Sequence, residues 1–80
     1  MLFKKDNLHI YKAQVFGMRC GMCESHINDV VRKNFKIKKV KSSRMKNETL
    51  IYAVDELDIT KIKEVIASTG YEVRGVEKVN

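Results

Sequence analysis

At Gly17 the hydrophobic pattern of the chain changes period, and that change narrows the possible folds more than anything else in its 80 residues. From Leu8 to Phe16 the repeat is two: Tyr11, Ala13 and Val15 alternate with Lys12, Gln14 and Phe16. A strand with one apolar face reads this way. From about Gly21 to Asn34 the repeat is helical. Cys23, Ile27, Val30, Val31 and Asn34 fall near one stripe, with Glu24, Asn28, Asp29, Arg32 and Lys33 outside it. Glu24 at the start and Arg32 and Lys33 at the end suit the helix dipole. Phe35 is expected to pack where the helix stops.

The same alternation of periods continues. A second strand is expected over Ile37–Arg44, a turn at Lys46-Asn47, and a third strand over Glu48–Val54. The centre of that third strand, Leu50-Ile51-Tyr52, is apolar on both faces, as a central strand would be. Asp58 is a good N-cap for a second helix, and Leu57 before it is placed to staple against Ile62. Ile59, Ile62, Val65, Ile66 and Thr69 form its stripe, and Gly70 is expected to end it. Tyr71–Val79 reads as a fourth strand with a bulge at Gly75. Residues 1–7 are polar apart from one short apolar patch and are expected to form a flexible N-terminus, leaving 8–79 as one domain.

The order βαββαβ defines an α+β fold. With right-handed crossovers it builds the ferredoxin-like sandwich, a four-stranded antiparallel sheet with two helices on one face. In that topology the loop after strand one, the Arg44–Asn47 hairpin and Gly70-Tyr71 gather at one end. Lys33 and Lys36 lie at the other.

The loop is Gly17-Met18-Arg19-Cys20-Gly21-Met22-Cys23, and it holds both cysteines of the chain. Their spacing serves a soft-metal site, a dithiol redox site or half of a zinc site. With Cys20 in the loop and Cys23 in the first helical turn, the two sulfurs are neighbours able to close on one ion. The helix N-terminus favours thiolates, and Arg19 adds positive charge. Two thiolates without a carboxylate between Gly17 and Cys23 favour Cu(I), with Zn(II) or another soft divalent ion as the alternative. Met18 reads as a buried anchor of the loop. Met22 offers either a third soft ligand or, as the preferred reading, an exposed apolar contact for a partner. His26, one turn beyond Cys23, reads as a solvated side chain rather than a ligand.

Gly-Met-x-Cys-x-x-Cys, carried here by Gly17, Met18, Cys20 and Cys23, resembles the signature of heavy-metal-associated domains. These occur in small copper chaperones and in the N-terminal modules of copper-transporting ATPases. The resemblance covers about residues 8–78 and implies the same ferredoxin-like fold. It also implies Cys20 and Cys23 as metal ligands, transfer of the ion by thiolate exchange, and a metal-transporting ATPase or another metal-binding domain as partner. Met18 is implied to pack inward. Tyr71 stands where bacterial copper chaperones often have a tyrosine near the metal, a role compatible with packing on the core. Arg19 replaces the acidic residue that zinc- and cadmium-handling relatives often carry before the first cysteine.

The chain has 16 Lys and Arg against 10 Asp and Glu, for a net charge of +6. Between Asp29 and Glu48 every charged residue is basic: Arg32, Lys33, Lys36, Lys38, Lys39, Lys41, Arg44 and Lys46. Lysines on an edge strand discourage sheet-to-sheet association, which accounts for Lys38, Lys39 and Lys41 without a partner. An RNA-binding domain of the same topology would display aromatics on the outer sheet face, and only Phe16 and Tyr52 are available. A dithiol oxidoreductase of the thioredoxin type would use prolines at the motif and opposite it, and the chain has none. No apolar stretch approaches the ~20 residues of a membrane span. The N-terminus does not read as a secretory signal. The expectation is therefore a non-enzymatic cytoplasmic metallochaperone or transporter module with no nucleic-acid partner, monomeric or bridged by metal into a dimer.

Overall fold

Tyr11, Ala13 and Val15, the apolar alternates of the first strand, are the floor on which the rest of the protein packs. All three are excluded from solvent. A computed structural model describes residues 8–79. The expected flexible segment, residues 1–7, lies outside the described residues. The element order is β1 (His9–Phe16), α1 (Gly21–Asn34), β2 (Lys39–Ser43), β3 (Glu48–Ala53), α2 (Ile59–Ala67) and β4 (Glu72–Lys78). The sheet order is β2-β3-β1-β4, and every neighbouring pair is antiparallel.

Both helices cover the same face. Ile27 and Val31 from α1 and Ile62 and Ile66 from α2 share one core cluster with Tyr11, Ala13, Val15, Val40 and Ile51. The strand members are alternate residues, so they point to one side. Burial of each isoleucine contributes about 1.5–3 kcal/mol. Thr49 enters this apolar layer with its hydroxyl satisfied, since Ser42 Oγ lies 2.9 Å away and in turn donates to Asn28 Oδ1 at 2.7 Å. Tyr11 is buried to its tip, where its hydroxyl accepts the Leu57 amide at 2.9 Å.

Local signals set most boundaries. Asp58 caps α2 as expected, its carboxylate accepting from the amides of Thr60 and Lys61. The bulge expected at Gly75 is present: Gln14 pairs with Gly75 but Val15 with Val73, so Arg74 is the extra residue of β4. Leu57 is half-buried against the core that contains Ile62.

Several expectations are corrected. Asn34 is exposed, and its amide donates back to the Val30 carbonyl instead of lying on the buried stripe. Asn28 and Glu24 are half-buried, drawn toward Ser42 and Arg44 rather than to solvent. Ile59 is 39% exposed because it opens the helix at the edge of the core. The second helix ends earlier than expected, with Ser68 as C-cap. Gly70, at φ +100°, follows two residues later and turns the chain into β4. β2 and β3 are each shorter than expected, and Val54 is 62% exposed.

The pairing fixes which loops meet. Ser43 pairs with Glu48, Glu48 with Gln14, and Phe16 with Glu72. The end of β1, the β2–β3 hairpin and the start of β4 therefore lie side by side, and the Val15 amide bonds the Asn47 carbonyl at 2.9 Å.

Candidate metal site

Gly17 makes the exit from β1. Its φ of +108° is open to glycine and strained for other residues, and a Cβ there would stand 3.4 Å from Tyr71 Cδ1. The glycine thus does two things at once: it turns the loop and lets the Tyr71 ring lie against it. Met18 follows, 8% exposed and part of the core cluster, and anchors the loop from below. Arg19 is exposed.

Cys20 is the N-cap of α1, in extended conformation and without a side-chain cap bond. Its carbonyl accepts the amides of Cys23 at 3.1 Å and Glu24 at 3.4 Å, so the first turn closes directly on the cysteine. Both cysteines are free; Cys20 is exposed and Cys23 half-buried.

The Cys23 thiol is lowered from 9.0 to about 7. The leading cause is a hydrogen bond from the Tyr71 hydroxyl, followed by the backbone amides of Arg19 and Cys20; burial opposes them and the Cys20 side chain adds a smaller effect. The same bond, with burial and the negative charge of the cysteines, raises Tyr71, which stays a phenol and a donor. Arg19 reaches Cys23 through its amide, and its guanidinium is not among the causes.

Tyr71 has a second neighbour in His26, whose ring meets it edge-on at 6.5 Å between centroids with 70° between the planes. His26 thus stands beside the tyrosine. Among the described residues no three His, Cys, Asp or Glu side chains group as a metal cluster. The candidate donor set is the two sulfurs, which suits a soft ion of low coordination number.

The structure adds Glu24, which sequence reasoning left outside the site, and pairs it with Arg44. Glu24 Oε2 accepts the Arg44 amide at 2.7 Å, and Glu24 Oε1 lies 3.2 Å from Arg44 Nη1. This pair links the first turn of α1 to the β2–β3 hairpin. Topology alone put Arg44 at this end; the signal for Glu24 was its place in the first turn of the helix that follows Cys20. Around the site Met22 is 80% exposed and Met45, in the hairpin, 86%.

On the outer sheet face Phe16 and Tyr52, of the described residues, are each covered by one of the chain's own cations. Arg74 stacks over Phe16 at 4.2 Å and Lys39 over Tyr52 at 5.6 Å. Rings so covered are poor platforms for nucleic-acid bases.

The model of the heavy-metal-associated domain matches residues 13–72. Among curated proteins no match is found. Among solved structures, the yeast copper transporter domain CCC2A, determined in apo and Cu(I) states, is 25% identical with a TM-score of 0.77, covering 89% of this chain and 99% of that one. The N-terminal domain of ZntA in its Zn(II) form is 20% identical, with a TM-score of 0.76 and coverage of 90% and 97%. The N-terminal domain of a potential copper-translocating P-type ATPase from Bacillus subtilis, Cu(I)-loaded, is 18% identical, with a TM-score of 0.72 and coverage of 88% and 91%. The last two likenesses are of fold.

Proposed function

Because the chain belongs to the heavy-metal-associated domain family, we propose that it carries a soft metal ion, Cu(I), on Cys20 and Cys23 and passes it to a partner by thiolate exchange. The observation that carries the reading is the pair itself: a free, exposed Cys20 as the N-cap of α1 and a free, half-buried Cys23 in its first turn, with the Cys23 thiol lowered to about 7 by the donors around it. At neutral pH a large share of Cys23 is already thiolate, so an arriving ion displaces fewer protons. Two sulfurs leave a Cu(I) ion coordinatively open. An incoming thiolate of the acceptor adds to it, one of the two cysteines then leaves and is reprotonated, and the ion moves without passing free through water.

The likeness to CCC2A supports the choice of ion, since that domain was solved with Cu(I). Zn(II), the ion of the ZntA structure, demands more ligands than two sulfurs provide. The acceptor is a metal-transporting ATPase or another metal-binding domain, approaching the metal end past Met22 and Met45. Arg19 and Lys46 are the cations there that enter no ion pair among the described residues. The module acts in the cytoplasm, without catalysing a reaction; no helix among the described residues is long and apolar enough to cross a membrane.

Anaerobic titration tests the reading. One Cu(I) should bind per chain, far more tightly than Zn(II), and Cys20→Ser or Cys23→Ser should abolish tight binding with the fold intact. Retention of wild-type Cu(I) affinity by Cys20→Ser would overturn it.

A further inference from the structure

We propose that Arg44 sets the metal preference of the cysteine pair by holding the Glu24 carboxylate out of the site. Released, that carboxylate becomes an oxygen ligand for a divalent ion such as Zn(II). The inference rests on the reading of Cys20 and Cys23 as the metal ligands.

Three observations converge on this pair. Glu24 lies in the first turn of α1, and helical side chains lean toward the N-terminus, so its carboxylate extends back toward the turn that opens at Cys20. A Cβ added to Gly21, the residue that follows Cys20, would stand 3.9 Å from Arg44 Nη1 and 4.0 Å from Glu24 Oε1. The ion pair therefore lies over the turn between the two cysteines. Both carboxylate oxygens are engaged by one residue, Oε2 by the Arg44 amide at 2.7 Å and Oε1 by its guanidinium at 3.2 Å.

The consequences differ for the two ions. Cu(I) is satisfied by two thiolates and gains little from a carboxylate. Zn(II) binds carboxylate oxygen at about 2.0–2.2 Å and seeks four ligands, so a third donor from the same helix turn matters to it. The guanidinium occupies the oxygen nearest Gly21 and cancels the charge that would draw in a divalent ion. Loss of the guanidinium leaves Oε2 on the backbone amide and frees Oε1 to turn toward the cysteines.

The test compares wild type with Arg44→Met, which keeps the stem of the side chain, with Glu24→Gln and with the double variant. Zn(II) and Cu(I) affinities are measured by anaerobic competition with chelators. Arg44→Met should bind Zn(II) about tenfold more tightly, in the range seen for changes around metal ligands, with Cu(I) affinity altered less than about threefold. The double variant should return to the wild-type Zn(II) affinity. Glu24→Gln alone should leave it unchanged, because the carboxylate is already held away. The side-chain carboxyl carbon resonance of Glu24 should respond to Zn(II) in Arg44→Met but not in wild type. Equal Zn(II) affinities for Arg44→Met and the double variant would overturn the proposal, as would loss of Zn(II) binding in Glu24→Gln alone. A wild type that takes up Cu(I) with such a result defeats only the role of Arg44. A wild type that takes up neither ion defeats the metal-binding reading as well.

Discussion

Replacing Tyr71 with phenylalanine removes one hydroxyl and leaves the ring that lies against Gly17 and meets His26. The hydroxyl is the first of four hydrogen bonds that lower Cys23 from 9.0 to about 7, against the opposing effect of burial. Its loss should return the thiol upward by roughly one pH unit. At pH 7 about half of the wild-type Cys23 is thiolate, and in Tyr71→Phe about a tenth would be. Alkylation of Cys23 at that pH should slow about fivefold, and apparent Cu(I) affinity should weaken by a similar factor through proton competition. The two proteins should converge at alkaline pH, where both thiols are ionised. The assay is the pH profile of the alkylation rate of Cys23, followed by mass spectrometry in the Cys20→Ser background. The sign also extends to stability. A thiol whose folded value is lowered contributes stabilisation that is fully present above 9.0 and is lost as the pH falls through about 7. Coincident profiles with and without the Tyr71→Phe substitution would refute the reasoning and leave the helix N-terminus and backbone amides as the activating groups.

Three further outcomes are expected. Gly17→Ala should destabilise the apo protein by on the order of 1–3 kcal/mol, from its left-handed backbone and the Tyr71 ring at 3.4 Å; urea unfolding measures it. Asp58→Ala removes a side chain that accepts two amides of α2 and should cost about 1 kcal/mol in the same assay. With an acidic acceptor domain, reversal of Arg19 and Lys46 to glutamate should slow Cu(I) transfer by roughly tenfold through association rate, and the effect should shrink as salt rises. Reversal of Lys33 and Lys36, at the far end of the molecule, should change stopped-flow transfer rates little; equal losses would indicate general attraction by net charge.

What was legible in the sequence is what local chemistry decides. The bounds of α1, the Asp58 cap, the bulge by Gly75 and the burial of Met18 each follow from residues within a few positions of one another. The topology then placed the cysteine loop, the hairpin and Tyr71 at one end without any knowledge of side chains. The reading failed where a residue's partner is distant in the chain. Glu24 and Asn28 look solvated on a helical wheel, yet Arg44 lies 20 residues from the first and Ser42 14 from the second. For Arg19 the sequence pointed to the guanidinium, and its backbone amide adds to the lowering of Cys23. A loop's amide directions are set by backbone angles such as those of Gly17, which periodicity does not encode.

The same distinction explains how an exposed pair of sulfurs can be held in place. Cys20 has no side-chain bond at the cap, and Met22 beside it is 80% exposed, so rigidity has to come from beneath and from the sides. Met18 ties the loop to the core, the Tyr71 ring lies alongside Gly17, and Glu24 fastens the first turn to the hairpin through Arg44. Each support comes from a different segment, and none needs to cover the sulfurs. The arrangement leaves Cys20 open to an acceptor thiolate while Cys23 stays oriented, which makes the two cysteines unequal. Once the acceptor thiolate has added to the ion, Cys20 should therefore be the first sulfur to leave, since it is exposed while Cys23 is half-buried.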